Sequence, residues 1–131
     1  MDAAETLLLD LVSNHPDVLD GYYYLALLYA EQKKYSEAID LLETASKKPG
    51  TYPRIFYNLG LLYQMTGQNE KCVAAFEKGL VLDPCSADLL YALFAFHMNQ
   101  NDRVKAGPYV EKMKACFPGE KQVQDMYDDF F

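Results

Sequence analysis

The sequence predicts an all-α protein in which similar helix pairs repeat along the chain. Its apolar residues recur at spacings of three and four, which is the period of a helix and not of a strand. Residues that end helices recur as well: Pro84 and Pro118 are 34 residues apart, and Pro16 lies two such periods before Pro84. A fixed period of this length indicates a stack of helix pairs, in which each pair needs its neighbours to bury its apolar faces.

The apolar residues of the helices repeat with the same period. The most regular copy has Phe56, Leu59, Gly60 and Tyr63 on its first helix and Cys72, Phe76 and Gly79 on its second. The copy before it has Tyr22, Leu25, Ala26 and Tyr29, then Ala38, Leu42 and Ala45. The copy after it has Leu90, Leu93, Phe94 and His97, then Ala106, Val110 and Met113. Small residues at the shared positions would let helix axes approach to roughly 8–10 Å, and Phe94 departs from that pattern.

The predicted helices follow the chain in order. A leading helix over residues 2–13 matches the second helix of a pair whose first helix is missing. The three pairs are predicted at 19–32 and 35–48, at 53–66 and 69–82, and at 87–100 and 103–116. Pro53 suits the start of a helix, because its missing N–H costs nothing there, whereas Pro108 should kink its helix. Asn69 and Asp102 suit the N-cap position, where a side-chain oxygen can accept a free backbone N–H.

Residues 121–131 predict a C-terminal capping helix. Val123, Met126, Tyr127 and Phe130 share one face at helical spacing, and aspartates supply a polar outer face. The terminal residues Phe130 and Phe131 either fold back on the last helix pair or insert into a neighbouring molecule. The second arrangement would build dimers or filaments.

The repeated pattern resembles the tetratricopeptide repeat (TPR) family. That family has a bulky residue, then Leu, a small residue and Tyr on the first helix, small and large residues on the second, and Pro at the end. Residues 56–84 match nearly every position, with Phe56 in place of Trp and Cys72 in place of Ala. The resemblance covers about residues 4–118 and implies a right-handed α-solenoid of three TPR helix pairs in a single domain. Its expected parts are a leading half-repeat (1–18), three repeats (19–52, 53–86 and 87–120) and a capping helix (121–131).

Composition argues against several classes of function. The net charge of −7 disfavours nucleic acid, because binding there needs clustered Lys and Arg. The N-terminus does not resemble a signal peptide, and no apolar run approaches the roughly 18 residues of a membrane span, so we expect no membrane insertion. The three cysteines, Cys72, Cys85 and Cys116, form no CxxC motif and are predicted to be free thiols in a reducing compartment. We therefore expect a cytoplasmic protein.

The sequence has few groups placed for catalysis. It contains no HExxH, no Cys/His cluster and no phosphate-binding glycine motif. His15 is predicted at a helix end, His97 replaces a core Tyr, and Cys72 is expected in a contact between helices. These residues predict a protein that is not an enzyme and that holds no metal or cofactor.

A binding surface is the better candidate. The resemblance places first helices along the concave face of the stack, where the residues two positions before Leu25, Leu59 and Leu93 would project. All three are tyrosines, which offer large contact area and a hydroxyl group. The predicted partner-binding residues are Tyr23, Tyr24, Leu27, Arg54, Tyr57, Asn58, Leu61, Met65 and Tyr91. Asn58 could pair with the backbone of an extended peptide. The same tyrosines could instead serve mainly to pack adjacent helices.

The charges of this predicted groove favour one kind of partner. TPR domains that hold the acidic tails of Hsp70 and Hsp90 chaperones use Lys, Asn and Arg, and Asn58 matches the Asn of that clamp. Its basic positions hold Tyr23, Leu27, Tyr91 and Ala95 instead. Because Arg54 is the only cation there and Asp20, Glu31 and Asp88 line the edges, we expect an apolar to mildly basic peptide or helix of a partner protein. The alternatives are self-assembly into a homo-oligomer and a docking domain of a larger protein.

Overall fold

The computed structural model describes residues 3–131, and it is helical throughout that range apart from the turns. Its eight helices are α1 (Ala3–Asn14), α2 (Leu19–Glu31), α3 (Tyr35–Ser46), α4 (Pro53–Met65), α5 (Asn69–Leu82), α6 (Ala87–Asn99), α7 (Arg103–Cys116) and α8 (Lys121–Phe130). No strand occurs between residues 3 and 131. The all-α class, the helix pairs, the leading helix and the C-terminal helix are confirmed. Residue 2 of the predicted leading helix lies outside the described residues.

The chain divides into two compact units, Met1–Ala75 and Phe76–Phe131. Helices α1 to α4 belong to the first unit and α6 to α8 to the second, while α5 contributes residues to both. The predicted organisation as a single domain over residues 1–131 stays a prediction.

In the first unit, small residues lie where the helices meet. Ala26 on α2 and Ala38 on α3 have no exposed surface, and Leu25 and Leu42 beside them are also buried. Helix α3 packs against both α2 and α4, and α1 packs against α2. Because a larger side chain at Ala26 or Ala38 would separate α2 from α3, these alanines fix the spacing of that pair.

A turn with one left-handed residue follows the first helix of every pair. The left-handed residues are Lys33 (φ 62°), Gly67 (φ 77°) and Asn101 (φ 58°), again 34 positions apart. In each turn the next backbone N–H donates to a carbonyl five residues earlier, at Tyr29 (2.8 Å), Tyr63 (2.8 Å) and His97 (2.9 Å). This is the Schellman arrangement, which satisfies carbonyls that the helix end leaves without partners. The residue types at Gly67 and Asn101 suit this conformation, whereas Lys33 gives no such signal, since Lys rarely adopts it.

In the second unit, an aromatic stack joins α6 to α7. The ring of His97 lies parallel to the ring of Tyr109, with centroids 5.7 Å apart and planes at 8°. The Tyr109 hydroxyl donates to the carboxylate of Glu77. Burial lowers the pKa of His97, which favours the neutral form of the imidazole. The predicted packing role of His97 in place of Tyr is thus visible in this contact.

Helix α7 is continuous in spite of Pro108 in its interior. Pro108 has no backbone N–H to donate to the carbonyl of Val104, four residues earlier. Val104 is the most exposed large apolar residue of the described chain. The helix starts as predicted, because the Asp102 carboxylate accepts a hydrogen bond from the Lys105 N–H at 3.1 Å. Ser86 caps α6 in the same way through the Leu89 N–H at 3.3 Å. The predicted N-cap at Asn69 is wrong by one residue, since α5 already begins there.

Helix α8 lies against α7 through its terminal aromatic residue. A Cβ at Gly107 would come within 3.2 Å of the Phe130 ring, so glycine is what allows this approach. The Arg103 guanidinium lies 4.3 Å from the centre of the same ring and donates to the Phe130 carbonyl at 2.6 Å. The Phe94 ring lies 5.9 Å from it, so this large residue at a small position contacts the C-terminal helix. Of the two arrangements predicted for Phe130, the structure has the one that folds back.

The prediction of three free thiols is wrong. Cys85 and Cys116 form a disulfide, and only Cys72 is a free cysteine. Cys85 lies just before α6, and Cys116 is the last residue of α7. The disulfide therefore joins the start of the α6–α7 pair to its end. The sequence could not indicate this pair, because the two cysteines are 31 residues apart and belong to no motif. The bond also removes the argument that the cysteines require a reducing compartment.

Thiol labelling tests the cysteine assignment. Burial leaves Cys72 with no exposed surface and raises the pKa of its thiol to about 11, so the native protein should take up no iodoacetamide at pH 8. Unfolded without reductant, the chain should gain one label by mass spectrometry, and after reduction three. Three labels without reductant would show that Cys85 and Cys116 are free.

The disulfide should also stabilise the second unit. It closes a loop of 31 residues, for which chain entropy gives about 3–4 kcal/mol of unfolding free energy. Urea unfolding of the Cys85→Ser/Cys116→Ser variant should show a loss of this order, and dithiothreitol should then have no further effect. Equal stability of wild type with and without reductant would contradict the assignment.

Substitution at Lys33 tests the repeated turn. Lys33→Gly should raise the unfolding free energy by about 0.5–1 kcal/mol, because glycine adopts a positive φ without the steric penalty of a side chain. Lys47 at the end of α3 has φ −94°, so Lys47→Gly is the matched control and should destabilise the protein. Denaturant unfolding measures both. A destabilising Lys33→Gly, or a Lys47→Gly that stabilises the protein as much as Lys33→Gly does, would refute the turn geometry.

Candidate functional site

The candidate site lies on the first helices of the two repeats in the first unit. We call this surface the α2–α4 face, and its residues are Tyr23, Tyr24, Leu27, Arg54, Tyr57, Asn58, Leu61 and Met65. Tyr24 is 55% exposed and Met65 is 61% exposed, and Arg54 is exposed too. Leu27, Tyr57, Asn58 and Leu61 are half-buried. Spacings of three and four residues place Leu61 and Met65 on the same side of α4 as Tyr57 and Asn58.

The three tyrosines predicted as one ladder have different environments. Tyr23 is only 8% exposed, Tyr57 is half-buried, and Tyr91 on α6 is 55% exposed. The ring of Tyr23 meets the ring of Tyr24 edge-on at 5.2 Å and lies 6.2 Å from the ring of Tyr52. Tyr23 is therefore the buried member of the α2–α4 face and supports its exposed residues, which agrees better with the packing role that the sequence left open.

Asn58 connects the two helices of the face. Its amide nitrogen Nδ2 donates to the Arg54 carbonyl at 3.0 Å and to the Tyr23 hydroxyl at 3.4 Å. The second contact is long and joins residues one repeat apart. Because Nδ2 already donates within the chain, the backbone of a peptide would have to compete for it. The side chain of Asn58 is therefore not free to pair with both the N–H and the C=O of a peptide, as the sequence predicted.

A pair that sequence reasoning did not connect lies at one end of this face. The hydroxyl of Tyr52, just before α4, donates to Asp20 Oδ1 on α2 at 2.7 Å. The pKa of Tyr52 is raised, first by burial and then by this hydrogen bond and the charge of Asp20. The sequence had placed Asp20 at the edge of the groove but had no signal for Tyr52, because the same position one repeat later is Ser86.

Tyr91 belongs to the second unit and is described there. Its exposed ring lies 6.4 Å from the ring of Phe94 on the same helix. Phe94 in turn contacts Phe130 at 5.9 Å. Tyr91 is thus the accessible end of an aromatic row that leads to α8.

Cys72 and His97 are both buried in the part of the chain that the structure describes. Across residues 3–131, no three His, Cys, Asp or Glu side chains lie close enough together to hold a metal ion. Cys72 is buried with a raised pKa, and His97 is stacked on Tyr109. No helix in this range is long and apolar enough to cross a membrane.

Two curated relatives contain similar segments. RANBP2-like and GRIP domain-containing protein 1 of Homo sapiens is 33% identical over 107 residues, which cover 80% of this chain and 6% of that protein. Protein O-mannosyl-transferase TMTC1 of Mus musculus is 25% identical over 128 residues, which cover 93% of this chain and 13% of that protein. The chain therefore spans a small part of the length of these relatives.

Two solved structures have a similar fold. The crystal structure of MamA matches with a TM-score of 0.79 at 18% identity, over 99% of this chain and 83% of that one. The type III secretion chaperone SycD of Yersinia enterocolitica, in complex with a peptide of the translocator YopD, matches with a TM-score of 0.72 at 17% identity, over 87% and 92%. Likeness at this level of identity shows the fold alone.

Two family models match the sequence directly. The model described as TPR repeat matches residues 26–67, and the model described as tetratricopeptide repeat matches residues 53–84. Both matches fall within the most regular copies, where the helix pairs and the left-handed turns recur every 34 residues. The chain belongs to the tetratricopeptide repeat family, as the resemblance of its sequence predicted.

Proposed function

We propose that this chain is a non-catalytic module that binds a peptide or helix of a partner protein on the α2–α4 face. The observation that carries the proposal is the exposure of Tyr24 and Met65, on the first helices of adjacent repeats, beside half-buried Leu27 and Leu61. An apolar strip of this kind with polar neighbours suits a protein partner. Tyr91 is proposed as a further contact residue on α6.

The family supports this proposal. The fold of SycD is similar, and that protein was solved with a peptide bound. We propose that the present chain likewise acts by binding and that it needs no metal or cofactor. TMTC1 is named as a transferase, but the match covers 13% of its length, so a repeat segment of this kind accounts for little of that protein.

The charges favour an apolar to mildly basic partner. Asp20 and Glu31 are exposed on α2, and the chain as a whole carries a net charge of −7. Arg54 is the single cation among the proposed contact residues. An acidic peptide or nucleic acid would therefore meet mainly repulsion. Self-assembly remains the alternative in which the partner is a second copy of the chain.

A docking role within a longer protein is a second candidate. The match to the human relative covers 6% of that protein, so there the repeats form one part of a long chain. In that setting the α2–α4 face would bind a partner for a neighbouring domain. The residues and the binding mode would be the same.

The redox state of the Cys85–Cys116 pair is the evidence that bears on the cellular compartment of the protein. A cytoplasmic protein normally keeps such thiols reduced, whereas a disulfide persists in an oxidising compartment. The cytoplasmic placement is therefore a proposal that the redox state of this pair in the native cell decides. Trapping the thiols by alkylation in intact cells, followed by mass spectrometry, measures that state.

Peptide selection tests the proposed face without knowledge of the natural partner. A phage-displayed library of random peptides is selected on the immobilised chain. Selected peptides should bind Leu61→Ala/Met65→Ala about five- to thirtyfold more weakly than wild type, because the lost anchors together remove roughly 1–2 kcal/mol. Titration calorimetry measures the dissociation constants.

The control is Leu7→Ala on α1, which removes an apolar residue that is 70% exposed but lies outside the face. It should bind as wild type does. Met65→Ala alone separates binding from folding, because its side chain is exposed and its loss should leave the melting temperature unchanged. Equal binding by wild type, Met65→Ala and the double variant would refute the α2–α4 face as the site.

A further inference from the structure

Four residues form a corner where the start of α2 meets the start of α4. They are Asp20, Tyr23, Tyr24 and Tyr52, and we call them the aromatic–carboxylate corner. The Tyr23 ring contacts both of the other rings, with centroids 5.2 Å from Tyr24 and 6.2 Å from Tyr52. Asp20 is fixed beside them by the 2.7 Å hydrogen bond from Tyr52. The corner thus combines three aromatic rings with one negative charge.

The orientation of the rings suits a cation. The planes of Tyr23 and Tyr24 meet at 82° and those of Tyr23 and Tyr52 at 53°, so the rings do not stack on one another. Ring faces carry partial negative charge and attract cations over them. A carboxylate has two oxygens and about four acceptor positions, so the bond from Tyr52 leaves Asp20 able to accept from a ligand.

The corner is also open to solvent. Tyr24 is 55% exposed and Asp20 is exposed, whereas Tyr23 is buried beneath them. Burial and Asp20 raise the pKa of Tyr52, which keeps its hydroxyl as a donor and holds the carboxylate in place. A bond that only tied α2 to α4 would need neither the exposed ring nor the exposed charge.

The first repeat alone has this combination. The position of Asp20 is Arg54 in the second repeat and Asp88 in the third. The position of Tyr24 becomes Asn58 and Ala92. Asp88 therefore supplies the charge in the third repeat without the adjoining ring, which makes it a natural control.

We propose that the aromatic–carboxylate corner binds the guanidinium group of an arginine in the partner peptide. This inference rests on the proposed function and specifies one residue of its ligand. Arginine fits better than lysine, because its planar guanidinium stacks on aromatic rings and offers paired donors to a carboxylate. The weaker hydration of the guanidinium also makes it easier to transfer to a partly apolar surface. The peptide's apolar residues would then continue toward Leu27 and Leu61.

A small-molecule titration tests the corner directly. N-acetyl-arginine amide is added to the ¹⁵N-labelled chain and followed by NMR, with N-acetyl-citrulline amide as its neutral analogue of nearly the same shape. The arginine probe should cause saturable shifts of the Asp20, Tyr24 and Tyr52 amides, and citrulline should cause none. Equal shifts with citrulline, or arginine shifts confined to other residues, would overturn the proposal. Equally tight binding of N-acetyl-lysine methylamide would overturn the assignment to arginine.

Matched variants identify the groups responsible. Asp20→Asn and Tyr24→Ala should each weaken the arginine probe at least about fivefold, the scale of one lost charged or ring contact. The control Asp88→Asn, at an exposed aspartate outside the α2–α4 face, should leave it unchanged. Tyr52→Phe keeps the ring but releases Asp20, and it should weaken binding while the fold is retained by circular dichroism. Unchanged affinity in both Asp20→Asn and Tyr24→Ala would refute the corner.

The outcome separates this inference from the proposed function. If library-selected peptides still depend on Met65 while the arginine probe fails to bind, only the corner is refuted. If selected peptides ignore Met65 as well, the α2–α4 face itself is refuted. Enrichment of arginine among the selected peptides, lost when selection is repeated on Asp20→Asn, would support both.

Discussion

The turn that ends the first helix of each pair is the constraint on which the rest of the structure depends. Its left-handed residue lets the chain reverse, and its N–H groups satisfy carbonyls at the helix end. The reversal lays the second helix against the first, where Ala26 and Ala38 allow close contact. With one side of each first helix used for that contact, the other side is left to carry Tyr24, Leu61 and Met65.

The same difference between the packed side and the exposed side of the first helices explains which tyrosines could contact a partner. Tyr23 is engaged in packing, since its ring contacts two other rings and its hydroxyl accepts a hydrogen bond from Asn58. Tyr24, one residue later, projects outward on the surface that Tyr23 supports. The first unit thus has a buried tyrosine beneath an exposed one, an arrangement that would reduce the entropy lost on binding a peptide. The second unit uses its aromatic residues differently, because Phe94 and Phe130 join the first helix of its repeat to α8.

The sequence predicted the helices well because they depend on local period and on helix ends. The apolar spacing, Pro53 and Asp102 placed most boundaries within two residues. It could not predict the left-handed Lys33, since only the tertiary reversal of the chain imposes that conformation. The Cys85–Cys116 bond and the Tyr52–Asp20 contact were missed for a similar reason: each joins single residues far apart, with no repeated counterpart. The repeat pattern predicted which residues share the candidate surface, and its role in binding stays a prediction. The burial of Tyr23 and the internal bonds of Asn58 depend on side-chain packing, which the pattern does not show.

Hydrogen exchange of the full chain with a library-selected peptide tests the central claim most directly. The claim is that partners bind to the α2–α4 face. Mass spectrometry of the saturated complex should show added protection in peptides that cover α2 and α4, with little change in α1 and α3. Protection confined to α1 or α3, or to the second unit alone, would contradict the account.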